Sequence, residues 1–458
     1  MKWIFGLAIV ITGCVTAVAQ DQYPPKGSIP LGPFRPATPY RPVVNPLTDS
    51  EIHFSITGAK NDLTNVVVRV PVESVNLSDF GLVVYDGRSA DAKLPFQVCP
   101  PRLLAKTGLK EEITLFLDTL KANETRALTF RGTSLPRPLL FPTAGESTAG
   151  QGFRWLVSSP DELNLAWHSD RKDVLLLRYM GDALDESSKD RRAETFKPYH
   201  HVFALDGETR LTKGPGGLYP HHHGLFFGFN KVTYGNGKKA DVWHCTGDAY
   251  QSHEAFVQTL KGALFGRTHV RINWHGEKKE VFAEEERELT VYAPHDKGML
   301  IEFASIVRPK ANIVRLDGDP QHSGFHFRAS NEVAEQFNAK KPETYFLRPD
   351  GKGKIGEERN WDPKTKKGPV NLPWDAMSFT VGGKRYTALY LDHPDNPKEA
   401  RSSERVYGRI GSYFEYNLTK DKPLRVQYRI WIQEGEMTVD QCEAMCRAFT
   451  EPVSVVVK

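Results

Sequence analysis

Histidine is the residue whose numbers and spacing in this chain most readily support chemistry. His221, His222 and His223 stand in a row after Tyr219-Pro220 and run into Gly224-Leu225-Phe226-Phe227-Gly228-Phe229-Asn230, and nine of the fifteen histidines fall between His200 and His275. An imidazole titrates near neutral pH and binds transition-metal ions when neutral, so the cluster points to acid–base catalysis or to metal binding. For proton transfer, His200 and His222 form the expected pair, with His244 and His326 as further catalytic candidates. For a metal, His200, His221, His223 and His244 form the alternative set for zinc or copper. The sequence holds no His-Glu-x-x-His or other spaced ligand motif, so no cofactor is expected outright and a metal stays the alternative. Glu284-Glu285-Glu286 offers a carboxylate base, although three acids in a row read first as a solvated charge run.

Strands must position these groups. As one strand, residues 221–230 would place His221, His223, Leu225, Phe227 and Phe229 on one face and His222, Gly224, Phe226, Gly228 and Asn230 on the other. Glycine weakens a strand unless something approaches the backbone, so the second face reads as a ligand floor with His222 and Asn230 ranked first. Pro220 leaves a loop over the three histidines as the other reading.

Around this stretch the chain is built from short alternating runs. Residues 49–134 carry several (Val66-Val67-Val68, Leu82-Val83-Val84-Tyr85, Ile113-Thr114-Leu115-Phe116-Leu117) and predict a small immunoglobulin-like β-sandwich. Prolines and small residues between Leu135 and Gly152 mark a boundary. Residues 153–458 alternate again, as in His269-Val270-Arg271-Ile272-Asn273-Trp274, and without interleaved helices they predict a large antiparallel double sheet. One helix is expected near the C-terminus, with Thr438 and Gln441 as its capping box and Pro452 as its stop. The fold class is therefore all-β.

A formal charge of +4 over 458 residues, with no basic block, excludes an electrostatic argument for nucleic acid. Lys2, the apolar run Trp3 to Ile11 and Ala17-Val18-Ala19 read as a signal peptide over residues 1–19, which makes the protein exported, periplasmic or extracellular. Ile11-Thr12-Gly13-Cys14 also fits a lipobox that would tether the chain through Cys14. A proline-rich lead-in follows over 20–48, and no later run has the roughly 18 apolar residues of a spanning helix. Cys99, Cys245, Cys442 and Cys446 lack CxxC spacing and read as buried free thiols.

Several short motifs form an ordered series over residues 150–440. They are Lys197-Pro198-Tyr199-His200, the paired histidines before Gly224, Asp241-Val242-Trp243, His322-Ser323-Gly324-Phe325-His326-Phe327-Arg328, Asp392-His393-Pro394-Asp395-Asn396-Pro397 and Arg405-Val406-Tyr407-Gly408. The series resembles the methane oxygenase PmoA-like family, a domain of unknown function. That family has Asp-His-Pro-His-His-Arg-Gly where this chain has Leu218-Tyr219-Pro220-His221-His222-His223-Gly224, so an acid and an arginine are missing. A looser similarity is to aldose 1-epimerases, whose His-Gly-Gly and Gly-Phe-Asp-Lys segments compare with Gly224 and Gly228-Phe229-Asn230-Lys231. This second resemblance implies a galactose mutarotase-like supersandwich, a fold that binds sugars and hosts several reactions.

The combined expectation is an exported carbohydrate-binding and carbohydrate-processing protein of epimerase, lyase or hydrolase type, with a carbohydrate or other small molecule as its partner. Trp243 would stack on a sugar face, and Arg328 and Arg405 would hold a hydroxyl or carboxylate. Asn230, His393 and Tyr407 complete the expected substrate site. A zinc or copper protein, and a non-catalytic glycan binder of the cell exterior, are the alternatives.

Overall fold

The computed structural model describes residues 51–72, 80–86, 93–106, 108–109, 111–136, 151–159, 162–451 and 453–457. The expected signal peptide, Cys14 and the lead-in lie outside the described residues. Strands dominate, and two large antiparallel sheets form the body of the molecule, as the alternation predicts. The first sheet has eight strands, running from Gly152–Ser159 at one edge through Lys172–Met180, Tyr199–Val202, Leu225–Phe229 and Ser323–Arg328 to Arg401–Arg405 at the other. The second has nine, with Val281–Tyr292, Gly298–Pro309 and Leu424–Glu434 at its centre.

One apolar core joins them. Leu225, Phe227 and Phe229 of the first sheet point into it and meet Trp274 and Phe303 of the second, while Phe303 stacks on Phe325 at 4.1 Å. A fully buried Leu or Phe side chain contributes about 1.5–3 kcal/mol by leaving water, so three such positions in alternation fix which way the strand faces. Phe226 and its register partner His326 are thereby turned to the other side, where Trp243 covers them at 5.1 and 4.8 Å.

The strand is Leu225–Phe229, not 221–230. His221 lies in a turn entered through Tyr219 in the left-handed region (φ 57°) and closed by His222 N–H donating to Tyr219 O at 2.9 Å. Gly224 then passes so near the His200 carbonyl that a Cβ would lie 2.0 Å from its oxygen.

The C-terminal helix is Val439–Thr450, with the predicted capping box of Thr438 and Gln441. Two further helices, Lys189–Thr195 and Asn331–Asn338, correct the expectation of a single one; at 7 and 8 residues they are too short to show a helical period.

A five-stranded and a three-stranded sheet form the N-terminal sandwich around Phe54, Val68, Leu115 and Phe130. The last strand, Ser454–Val457, leaves the large sheets and pairs antiparallel with Glu51–Thr57 of this sandwich. Arg69 of the sandwich reaches Glu302 of the large sheet, to which Arg429 and Tyr292 also donate at 2.7 Å. The four described cysteines are free and buried. Among the described residues no helix is long and apolar enough to cross a membrane.

Candidate metal centre

Two short turns on the outer side of the first sheet each carry an aspartate followed three residues later by a histidine. Asp241 Oδ1 accepts from the backbone N–H groups of Trp243 and His244 at 3.0 and 2.7 Å, and its Oδ2 accepts from His244 Nδ1 at 2.8 Å. Asp319 repeats the arrangement, accepting from Gln321 N–H and from His322 Nδ1, both at 2.9 Å, while Asn230 Nδ2 steadies its other oxygen at 2.8 Å. An Asp side chain that ties its own turn in this way is a common local device. Here it also fixes the tautomer. With Nδ1–H given to a carboxylate, each ring keeps its lone pair on Nε2, as metal-ligating histidines usually do.

His221 is the third member. One ring nitrogen from each of His221, His244 and His322 lies within 4.8 Å of the others, and His221 Nε2 is buried without a partner. Ring centroids of His244 stand 4.7 Å from His221 and 4.6 Å from His322. Zinc–nitrogen bonds of about 2.1 Å set ligand nitrogens about 3.4 Å apart, so modest side-chain rotation closes the trio on an ion. Buried Lys197 holds the main chain of two of these turns, its Nζ donating to His221 O at 2.8 Å and Trp243 O at 2.5 Å. Burial pushes the Lys197 pKa down to about 8 and, with help from Lys197 itself, that of His221 down to about 2. The His322 pKa is lowered by burial against the pull of Asp319. His221 and His322 are therefore neutral, the form that ligates.

Beside the trio lies an aromatic wall. His222 packs edge-on to His221 at 4.4 Å and stacks against Tyr219 at 5.0 Å and Tyr407 at 5.7 Å. Tyr219 is 37% exposed and lies 4.7 Å from Tyr407, so this rim faces solvent. A separate cavity of about 560 Å³, bordered by Asn230, Asp241, Arg315 and Asp317, sits behind the carboxylates and has no imidazole in its lining.

A family described only as one of unknown function, DUF6807, matches residues 166–447, well over half of the chain and all five residues of the trio and its carboxylates. The chain belongs to DUF6807. The match corrects the resemblance to the methane oxygenase PmoA-like family, from which the central motif already departs at Leu218, Tyr219 and His223. No curated protein matches the sequence.

Within this DUF6807 chain the predicted site residues scatter. His200 pairs in register with Leu225 and so faces the core, 5.0 Å from Tyr179, on the opposite side of the sheet from His222. His223 is wedged between Phe196 and Tyr199. The alternative metal set thus keeps His221 and His244, loses His200 and His223, and gains His322. His326 is fully buried under Trp243 and donates Nε2–H to Ser323 O at 2.8 Å. Trp243 is 1% exposed and cannot stack on a ligand. Gly228 makes room for this segment rather than for a substrate, since a Cβ would lie 2.9 Å from Val242 O. Asn230 supports Asp319. Arg405 is paired with Glu358 at 2.9 Å, and His393 packs on Phe449 of the C-terminal helix. Glu284 and Glu286 are half-buried and held by Lys310 and Arg308, whereas Glu285 is fully buried and paired with Arg287, which corrects the reading of all three as a solvated charge run. Tyr407 and Arg328 remain beside the trio. His322, Asp319, Asp241 and Lys197 were given no role from sequence, although Asp241-x-x-His244 and Asp319-x-x-His322 are the only Asp-x-x-His tetrads in the chain.

Proposed function

We propose that this DUF6807 chain is a metal-dependent protein acting on an oxygen-rich small molecule of carbohydrate type. His221, His244 and His322 hold a divalent transition ion. The observation that carries the reading is the convergence of two carboxylate-backed imidazoles with a third whose Nε2 is buried and unpartnered. Three nitrogen ligands leave a position open for water or a substrate oxygen, and an ion there acidifies the water or polarises a hydroxyl or carbonyl. This replaces the histidine acid–base pair. Burial lowers the pKa values of both His200 and His222, so neither is the imidazolium that a general acid needs at neutral pH. The Tyr219–Tyr407 rim offers an aromatic face for a sugar ring. The signal-like residues 1–19 favour export as the setting.

The test is metal stoichiometry in protein purified without an affinity tag and equilibrated with zinc. Wild type is expected to hold about one ion per chain, and His221→Ala, His244→Ala and His322→Ala to lose it, whereas His200→Ala and His223→Ala retain it. Wild type well below one ion per chain, or equal retention in all five variants, overturns the reading.

A further inference from the structure

Two guanidiniums stand next to the trio, and the nearby acids Asp319 and Glu358 pair with neither. Arg328 is 2% exposed and Arg409 fully buried, and the two are direct register partners on neighbouring strands. Like charges placed opposite each other on a sheet repel, and burial strengthens the repulsion. Both donate to a single neutral acceptor, Gln321 O, Arg328 through Nη2 at 3.1 Å and Arg409 through Nη1. Arg409 Nη2 also donates to Ser403 Oγ at 2.6 Å, but Arg409 Nε and Arg328 Nη1 have no partner.

Other buried arginines of this chain are treated differently. Arg287 is paired with Glu285, Arg348 with Glu404 and Arg429 with Glu302. Among the described residues no carboxylate forms an ion pair with Arg328 or Arg409. The nearby acids are engaged elsewhere, Asp319 by His322 and Asn230, and Glu358 by Arg405. Among the described residues, Lys197 and Lys213, also buried, donate only to backbone carbonyls. The positive charge reaches the trio's surroundings, since Arg328 is the foremost charge acting on His222 and also acts on His221.

We infer that Arg328 and Arg409 form an oxyanion-recognition site beside the three imidazoles, and that the substrate bears a carboxylate or phosphate group. A guanidinium fork with free donors matches such a group in geometry as well as charge. The anion would pair with two buried charges that the fold leaves without a partner carboxylate, and it would set the rest of the substrate against the Tyr219–Tyr407 rim and the open metal position. The inference rests on the metal reading only for where the reacting oxygen lies, because the anion site itself is built from arginines.

The experiment is calorimetric titration of tag-free protein, zinc-loaded and chelator-treated, with glucuronate, glucose 6-phosphate, inorganic phosphate and glucose. At least one of the three anions is expected to bind at least tenfold more tightly than glucose, and Arg328→Gln and Arg409→Gln to lose that tenfold preference while zinc stays near one per chain. Preference for glucuronate assigns a carboxylate, and preference for either phosphate a phosphoryl group. Ligand-free Arg328→Gln should melt no lower than wild type, because it removes an unbalanced buried charge. Equal binding of glucose and all three anions by wild type overturns the inference, with no variant needed. So does a preference that survives both substitutions. Wild type that takes up no zinc yet still selects the anion would refute the metal reading alone.

Discussion

Asp241 and Asp319 do more for the proposed ion than their distance from it suggests. Each accepts a hydrogen bond from the Nδ1–H of its histidine and so commits Nε2 to ligation. Asp241→Asn and Asp319→Asn should each weaken zinc binding by about 10–100-fold, read by competition with a chromophoric chelator. Folding stability should change far less, because both turns are solvent-accessible in part. At this scale the sequence was half legible. The enrichment around residue 221 pointed to His221 and His244, and a repeated Asp-x-x-His spacing was there to be read. Which imidazoles meet was not readable, because His322 arrives with the strand Ser323–Arg328, whose register against Leu225–Phe229 is set by core packing nearly a hundred residues away.

The elements hold these turns by close backbone approach. Gly224 lies against the His200 carbonyl, and its own N–H donates to Lys213 O at 2.8 Å. A methyl group at Gly224 must push apart two neighbouring strands, so Gly224→Ala should cost about 2–3 kcal/mol in urea unfolding and disturb the His221 turn that precedes it. Lys197 acts on the same turn from beneath. Lys197→Met should lower metal affinity by freeing the His221 and Trp243 carbonyls, with zinc titration as the readout. Glycines within an apolar run correctly announced that something comes close. They did not say what, and the visitor at Gly228 is the chain's own Val242–Trp243 segment. Alternation likewise predicted the facing of Phe226 against Phe227 once the strand began, but could not tell that Tyr219 and Pro220 delay its start to Leu225.

For the molecule as a whole, the all-β class and the double sheet were written in the period-two pattern, whereas the return of the C-terminus was not. A four-residue strand such as Ser454–Val457 carries no mark of which sheet it joins. The sandwich and the large sheets are also linked by charge, through Arg69, Glu302 and Arg429. Burial opposes ionisation of Glu302, but the two arginines overcome it and hold its pKa below the ordinary carboxylate range. Glu302 therefore stays ionised in the folded protein at pH values where the unfolded chain takes up a proton. Its contribution is complete above roughly pH 5 and is lost as pH falls from there through the folded-state value. Glu302→Gln should destabilise the protein by about 3–5 kcal/mol at pH 7 and flatten the acid limb of the stability profile, measured by thermal unfolding from pH 7 to pH 3.

Zinc K-edge X-ray absorption on the tag-free, zinc-loaded chain looks straight at the metal centre. Three imidazole nitrogens at about 2.0–2.1 Å, with an oxygen ligand completing the shell, are predicted for wild type, and loss of this bound-zinc signal for His322→Ala. A shell of oxygens alone, or a spectrum unchanged by the loss of His322, would contradict it.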